Sequence, residues 1–571
     1  MGKSTSIFQR LGKGGEELPA QIFNLNLLIG VTIFGILGAA RGFDEGNVSG
    51  MLAAPDFQKT FGLVKGTKLR TRAEAIAAET GNISAMVQLF SIVGGLGAFV
   101  INDRIGRVWS LRALCVVWIV GVVLQMTSHQ LGQLYGGRAI AGLGIGATTV
   151  VGPVYLVEIA PRSIRGLCSG IFAGFVYIGI MLSYFATWGS SLHQTGRVRW
   201  VIPLSLQVMF AGMALLFSVF AIESPRYYML KGKSDLAMKS LVRLRKLPSD
   251  HPFVAAEMRS IEDGLERERQ AVAGKSMVAR SLELFSSGAN LYRLIGVGVM
   301  VQLLGQWSGA NSITIYAPQY FALLGVKGQN EKLFATAVFG VVKFVASIIC
   351  SFFLIDRIGR KRSLYLGVGI QFISMLYIAI FLAAAPSVAE GAKITSSMVK
   401  HAASGGVVMI YFNGFGWALG WNSVQYLLGT EIWPLHLRSL GSSIIMAIHF
   451  ANQYGNSKSV PEMLLTRAQG GLSAAGTMFL FAAVCFLGLV YIYWFLPEAS
   501  GHSLESLDLL FNMKWYKIGR YSSTLASKDL GAQNHTVVHE DDRLSVFDEK
   551  DQEKNGGVVM VEDSERSIRS R

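Results

Sequence analysis

Arg41, Asp44 and Glu45 fall within five positions at the end of a run, from about Phe23 to Ala40, that holds no other charge. An arginine at membrane depth costs about 2.5 to 3.5 kcal/mol on insertion scales, so Arg41 must meet an anion. Asp44 and Glu45, three and four residues on, share its helix face and are the internal candidates. A second set of charges occurs twice. "DRIGRV" begins at Asp103 and "DRIGRK" at Asp356, while "EIAPRSIRG" begins at Glu158 and "EIWPLHLRSLG" at Glu431. Asp103, Arg104, Arg107, Glu158 and Arg165 are thus answered by Asp356, Arg360, Glu431 and Arg438. Interleaved carboxylates and cations suit a reversible latch: partly solvated pairs are worth about 1 kcal/mol or less each, enough together to bias two states without locking either. Loop anchoring explains the arginines but not the carboxylates. No metal-ligand cluster, phosphate loop after a strand, or Ser/His/Asp arrangement stands in the chain. Neither an enzyme nor an ATP-driven pump is expected, and no metal or cofactor.

These residues need a frame that spans a bilayer. Of 571 residues 51% are hydrophobic and 16% charged, and mean hydropathy is +0.41, too apolar for a soluble chain of this length. Runs of about 20 apolar residues predict twelve helices, near 23–45, 82–101, 109–128, 133–157, 167–188, 200–221, 291–322, 332–354, 363–385, 403–428, 440–461 and 472–495. No strand-period alternation recurs, which excludes a β-barrel, so the fold class is an all-α membrane protein. Lys3, Arg10 and Lys13 precede the first run without a cleavage signature, so the first helix is retained. Cys115, Cys168, Cys350 and Cys485 all fall inside expected helices and read as packing residues. The formal charge of +15 reports loop topology rather than a nucleic-acid partner. Arg104, Arg107, Arg112, Arg162, Arg165, the stretch Arg226 to Arg280 and Arg357 to Arg362 share one side, the cytoplasmic one, with both termini. The basic loop from Asp56 to Glu79 is the exception.

The paired motifs are separated by about 250 to 275 residues, as duplication of a six-helix unit requires, and internal repeats are a mark of transporters. The expected organisation is a cytoplasmic segment 1–22, a six-helix bundle 23–222, a cytoplasmic linker 223–290, a second bundle 291–496 and a polar, largely disordered tail 497–571.

The ordered set of motifs resembles the sugar porter family of the major facilitator superfamily. It comprises Gly42-Phe43-Asp44 with Gly46 and Gly50, the two "DRIGR" stretches, "GRAIAGLGIG" at Gly137, "PVYLVEIAPRSIRG" at Pro153, "ESPRYYMLKGK" at Glu223, "GQWSGANSITIYAP" at Gly305 and "LPEASGHSLE" at Leu496. Val108, Ile222 and Ala499-Ser500 depart from the usual residues without challenging the fold. The resemblance implies twelve helices in two six-helix bundles, alternating access, and an aspartate of helix 1 facing an arginine of helix 4. Here these are Asp44 and Arg138, and in the family's proton symporters that aspartate takes the proton. A carboxylate held against a cation stays ionised, whereas one parted from it and desolvated takes up a proton. A permanent helix–helix ion pair is the alternative.

Against that family pattern the cavity is unusual. Arg41 replaces an apolar or aromatic residue, Lys343 stands where many hexose carriers have a sugar-binding asparagine, and Ala173 and Gly305 replace two sugar-binding glutamines. Gln306, Asn311 and Tyr316 remain. Helix 10 lacks the usual prolines and places Tyr426 where the family has tryptophan, and helix 11 reads "HFANQ", leaving Phe450 and Gln453 as contacts to a sugar face and His449 as a packed residue. Two neutral positions are emptied and two cations enter. A carboxylate-bearing sugar could be gripped by the Arg41 fork and the Lys343 point charge, as in the fungal galacturonate and quinate carriers that the resemblance brings in; pairing of both cations with protein carboxylates is the other reading. The expectation is a proton-coupled carrier of a galacturonate-like sugar acid in the plasma membrane. A neutral hexose or pentose carrier and a non-transporting sugar sensor are the alternatives.

Overall fold

The computed structural model describes residues 19–498 apart from 65–72, 162–163, 275, 351–353, 355–357, 390, 393, 395, 423, 426–428, 430–431 and 435–436, together with Phe511, Met513 and Ile518. No strand occurs among the described residues. The first half holds α1 (Leu25–Ala53), α2 (Ala73–Ile105), α3 (Arg107–Met126), α4 (Leu131–Ile159), α5 (Arg165–His193) and α6 (Val198–Phe217). Four linker helices follow: α7 (Pro225–Leu230), α8 (Ser234–Arg245), α9 (Pro252–Val272) and α10 (Met277–Ser286). The second half holds α11 (Gly288–Leu323), α12 (Gln329–Ile349), α13 (Arg360–Ala384), α14 (Ser397–Leu419), α15 (Arg438–Met463) and α16 (Ser473–Trp494). Ten of these helices are long and apolar enough to cross a membrane. α14 and α15 match them in length and pack in the same layer, α14 on α12 and α13, and α15 on α2.

α1 runs eight residues past the expected end at 45, because its last turns are built for contact rather than for lipid. Gly42, Gly46 and Gly50 form one four-residue stripe facing α5, and a Cβ on Gly42 would lie 1.8 Å from the Val176 carbonyl oxygen, one on Gly46 2.0 Å from Ser183 Oγ. Small residues let membrane helices approach to backbone contact, where dispersion replaces the absent hydrophobic drive. Arg41, Asp44 and Glu45 are thereby carried inside a helix and not at its mouth.

α11 is not the continuous rod expected for 291–322. It passes through a π-helical stretch, Tyr292–Val299, breaks at Trp307 to Gly309, where Gly309 has φ +86°, and bends again at Tyr316 (φ −117°, ψ 25°) before Pro318. Pro318 has no N–H to offer the carbonyl of Thr314, four residues back. The Tyr184 hydroxyl of α5 donates to that carbonyl instead, at 2.7 Å, so the bend is completed by the other half of the molecule. Pro461 in α15 frees the Ser457 carbonyl in the same way, and the Tyr316 hydroxyl lies 2.6 Å from it and 2.8 Å from Ser84 Oγ of α2.

The halves meet along two main seams, α2 with α15 and α5 with α12, and between α1 and α11. At the end away from the linker, Gln329 Nε2 donates to the Ala53 carbonyl at 2.8 Å, Ser191 Oγ meets Asn330 Oδ1 at 3.2 Å, and Lys458 bonds Asn82. The linker packs under the first half. Ile22 shares a small core with Ala237, Leu241, Leu247, Val254 and Met258, and Asn24 and Asn26 donate to the Leu244 and Arg243 carbonyls at 2.8 and 2.7 Å.

The internal repeat is visible in the backbone. Gly106 (φ 99°) and Gly359 (φ 92°) cap α3 and α13 in the same strained conformation, which only glycine adopts at no steric cost. In each half a carboxylate from beyond the last helix receives the freed N–H groups: Glu223 accepts from Arg107 and Val108 at 3.0 and 3.1 Å, and Glu498 accepts from Lys361 at 3.0 Å. The four cysteines are buried and separate.

Candidate functional site

Where α1, α2, α4, α11 and α15 converge, Arg41, Asp44, Glu45, Ser84, Gln88, Ser91, Phe450 and Gln453 line a narrow cavity of about 20 Å³, with Val48, Val87, Ile145 and Ile315 as its apolar wall. Arg41 is buried, with its guanidinium carbon 5.8 Å from the centre of the Phe450 ring, so a cation of the first half stacks on an aromatic of the second.

Asp44 is buried beside it and Oδ1 has no hydrogen-bond partner. Arg138 of α4 acts on Asp44 electrostatically but lies beyond the 4 Å of an ion pair; its Nη1 meets Gln125 Oε1 at 3.4 Å and its Nε and Nη2 are buried without a partner. Asp44 and Arg138 are thus two buried groups of opposite charge on adjoining helices, within electrostatic range but without contact.

Lys343 does not reach the cavity wall. It is 3% exposed in the α5–α11–α12 seam, where Nζ donates to Thr314 Oγ1 at 2.7 Å and lies 5.3 and 5.5 Å from the Tyr177 and Phe339 rings. No carboxylate among the described residues stands within 4 Å of it; Glu45, on the cavity wall, is the acidic group that acts on it electrostatically. Of the two cations singled out in the sequence, Arg41 lines the cavity and Lys343 lies outside its wall.

The remaining expected contacts spread over a polar layer above the cavity. Gln453 Nε2 donates to Asn311 Oδ1 at 3.3 Å, leaving Asn311 Nδ2 without a partner, and Gln306 meets His449 Nδ1 at 3.2 Å with Oε1 unspent. His449 is buried and also 2.9 Å from Gln302 Oε1, as a packed histidine should be. Tyr316 is not on the cavity wall; its hydroxyl is spent on the wall residue Ser84 and on the Ser457 carbonyl. Tyr426 lies outside the described residues. Ser84, Gln88 and Ser91 were not singled out in the sequence, yet their spacing of four and three in an apolar helix was the signal. Tyr177 and Trp417 had none: Trp417 Nε1 donates to the Tyr177 hydroxyl at 2.9 Å, and that hydroxyl donates to Asn422 at 2.7 Å, bridging the halves.

At the linker end, Arg107 binds Glu158 through two bonds of 2.8 Å and approaches Asp103 at 3.1 Å, while Arg226 lies 3.8 Å from Glu158 and 2.5 Å from Glu268. These ion pairs belong to the first half and its linker. Burial pushes the Glu223 carboxyl above its ordinary range, against the N–H groups of Ser224, Val108 and Arg107 and the Arg107 charge that draw it down. Arg104 is exposed. Arg165, Arg360 and Arg438 open α5, α13 and α15, and the side chains of Arg165 and Arg438, like Asp356 and Glu431 altogether, lie outside the described residues.

The profile of the family described as "Sugar (and other) transporter" matches residues 30–511. A quinate permease of Neurospora terricola is 30% identical over 513 residues, covering 88% of this chain and 92% of the relative. A probable quinate permease of Aspergillus fumigatus is 28% identical over 520 residues, 89% and 91% of the two chains. Among solved structures, the proton:xylose symporter XylE bound to 6-bromo-6-deoxy-D-glucose superposes with a TM-score of 0.68 at 21% identity, over 85% of this chain and 99% of the other. That likeness gives the major facilitator fold, two bundles of six helices.

Proposed function

The chain belongs to the sugar (and other) transporter family, and from that premise we propose that it carries a polyhydroxylated carboxylic acid across the membrane together with a proton, by alternating access. It is a multi-pass membrane transporter and not an enzyme. The observation that carries the substrate reading is the balance of buried charge. Among the described residues, Arg41 on the cavity wall and Arg138 and Lys343 beside it are gathered with the carboxylates Asp44 and Glu45. Three cations against two carboxylates, in a region of low dielectric, favour an anionic guest. When Asp44 holds a proton the imbalance grows by one, so proton and anion arrive together most readily.

In this mechanism Arg41 presents a planar fork to the substrate carboxylate, Phe450 covers the ring, and Gln453, Gln88 and the unspent amides of Gln306 and Asn311 meet its hydroxyls. Lys343 offsets Glu45 from outside the cavity wall, a supporting charge rather than a direct contact. Asp44 takes the proton while Arg138 stands off and yields it when a change of access brings the pair together. The relatives named as quinate permeases handle a ring with hydroxyls and one carboxylate, which supports this class; galacturonate is the sugar acid of the same type. The basic linker end faces the cytoplasm of a plasma-membrane protein in this reading.

Uptake by proteoliposomes tests it, with quinate and galacturonate competed against galactose. The acids should compete and galactose should not. Arg41→Met should weaken acid uptake by about 30-fold or more, from the 2 to 5 kcal/mol lost when one partner of a buried charge-assisted contact is removed, with normal surface expression. A wild type that prefers galactose refutes the substrate class, and no uptake of any solute would favour a sensor.

A further inference from the structure

A second site lies outside the transport path. At the linker end the last turn of α2, the first turns of α3, the segment after α6, and helices α7 and α8 enclose an open groove of about 1310 Å³. Six cations line it: Arg104, Arg112, Lys231, Lys233, Lys239 and Arg243. None of them makes an ion pair within 4 Å among the described residues, although the same linker pairs Arg245 with Glu257 at 2.6 Å and Arg226 with Glu268. The two carboxylates in the groove do not answer them. Glu223 is spent on the N–H groups of Arg107, Val108 and Ser224, and Asp235 is exposed at the start of α8.

The rim of the groove is apolar and faces outward. Trp109, in the groove, is 60% exposed, and Phe220, next in sequence to the groove residue Ala221, is 66% exposed; tryptophan favours the boundary between acyl chains and headgroups. Arg112 is already held there: its guanidinium stacks 4.6 Å from the Trp109 ring centre and donates to Ser218 Oγ at 3.0 Å and to the Ser218 carbonyl at 3.1 Å. A fixed cation on an outward apolar rim, backed by Arg104 at the end of α2 and four more cations on the linker, fits a molecule with a charged phosphate at one end and hydrocarbon at the other.

We propose that this groove is a binding site for an anionic phospholipid, its headgroup phosphate on Arg112, Lys233, Lys239 and Arg243 and its acyl chains along Trp109 and Phe220. The lipid ties α8 to the ends of α2 and α3, so it joins the linker to the first half in the plane of the bilayer. A soluble phosphate would find the same cations but would leave the apolar rim uncovered.

Native mass spectrometry of the full chain reads this directly. Phosphatidic acid and phosphatidylcholine of the same acyl length are added to the wild type, to Lys233→Gln/Lys239→Gln/Arg243→Gln, and to a control, Lys327→Gln/Lys332→Gln/Lys400→Gln, that removes equal charge at the opposite end. The wild type and control should retain phosphatidic acid in preference and melt higher with it. The groove variant should lose at least tenfold in retention, since each surface cation contributes about a fivefold factor, and should lose the thermal shift. Equal retention by the groove variant, equal loss in the control, or displacement of the lipid by millimolar inorganic phosphate would each overturn the proposal.

Discussion

Tyr184→Phe removes one oxygen from the seam between the halves and leaves the ring in place. In the structure that hydroxyl is the donor for the Thr314 carbonyl, at 2.7 Å, because Pro318 cannot supply the helical N–H. Both residues are buried, so the carbonyl of the variant is left without a partner while the seam is closed, a loss of about 1 to 3 kcal/mol. When the seam opens, water reaches the carbonyl and the loss disappears. The closed form is therefore raised relative to the open one by nearly the whole amount, a shift of roughly 5- to 150-fold in the equilibrium. The assay is alkylation of a single cysteine at Ser191 or Asn330 by a membrane-impermeant thiol reagent, both residues lying in the same seam at 3.2 Å. A Pro318→Ala background sharpens it. There the backbone regains its donor, and the hydroxyl should matter several-fold less, so the double-mutant cycle should show coupling. Unchanged alkylation in Tyr184→Phe, or equal effects in the two backgrounds, would refute the argument.

Two further outcomes follow from the first half. Asp44→Asn should abolish accumulation against a gradient in proteoliposomes while sparing substrate exchange, and undiminished uphill uptake would remove Asp44 from the coupling role. Gly42→Ala places a methyl 1.8 Å from the Val176 carbonyl oxygen; α1 and α5 must separate, at about 3 kcal/mol or more, and the monodisperse fraction and melting temperature in detergent should both fall, whereas Gly212→Ala, open around its Cβ position, should match the wild type.

Much of this protein is determined locally. Run length and hydropathy alone place the long helices, because a bilayer accepts few other backbones, and the duplicated "DRIGR" stretches announce two halves whose glycines later prove to share one conformation. Charge at membrane depth is costly wherever it points, so charge type by itself marks Arg41, Asp44 and Lys343, while Arg138 is marked by the family resemblance. Distance and direction were decided only by packing. From the sequence Arg41 and Lys343 form one grip; the fold puts Arg41 on the cavity wall and Lys343 in the seam against Thr314 and Tyr177, because α1 and α12 meet chiefly through α5 and α11. Sequence gave Tyr316 to the substrate, but two helices bent at Pro318 and Pro461 bring its hydroxyl to a carbonyl that needed a donor. Tyr177, Trp417 and Tyr184 carried no signal, for an aromatic among apolar residues reads as core until a partner from the other half arrives at its hydroxyl or ring nitrogen. Such partners lie more than 100 residues away along the chain, and only tertiary structure brings them within 3 Å.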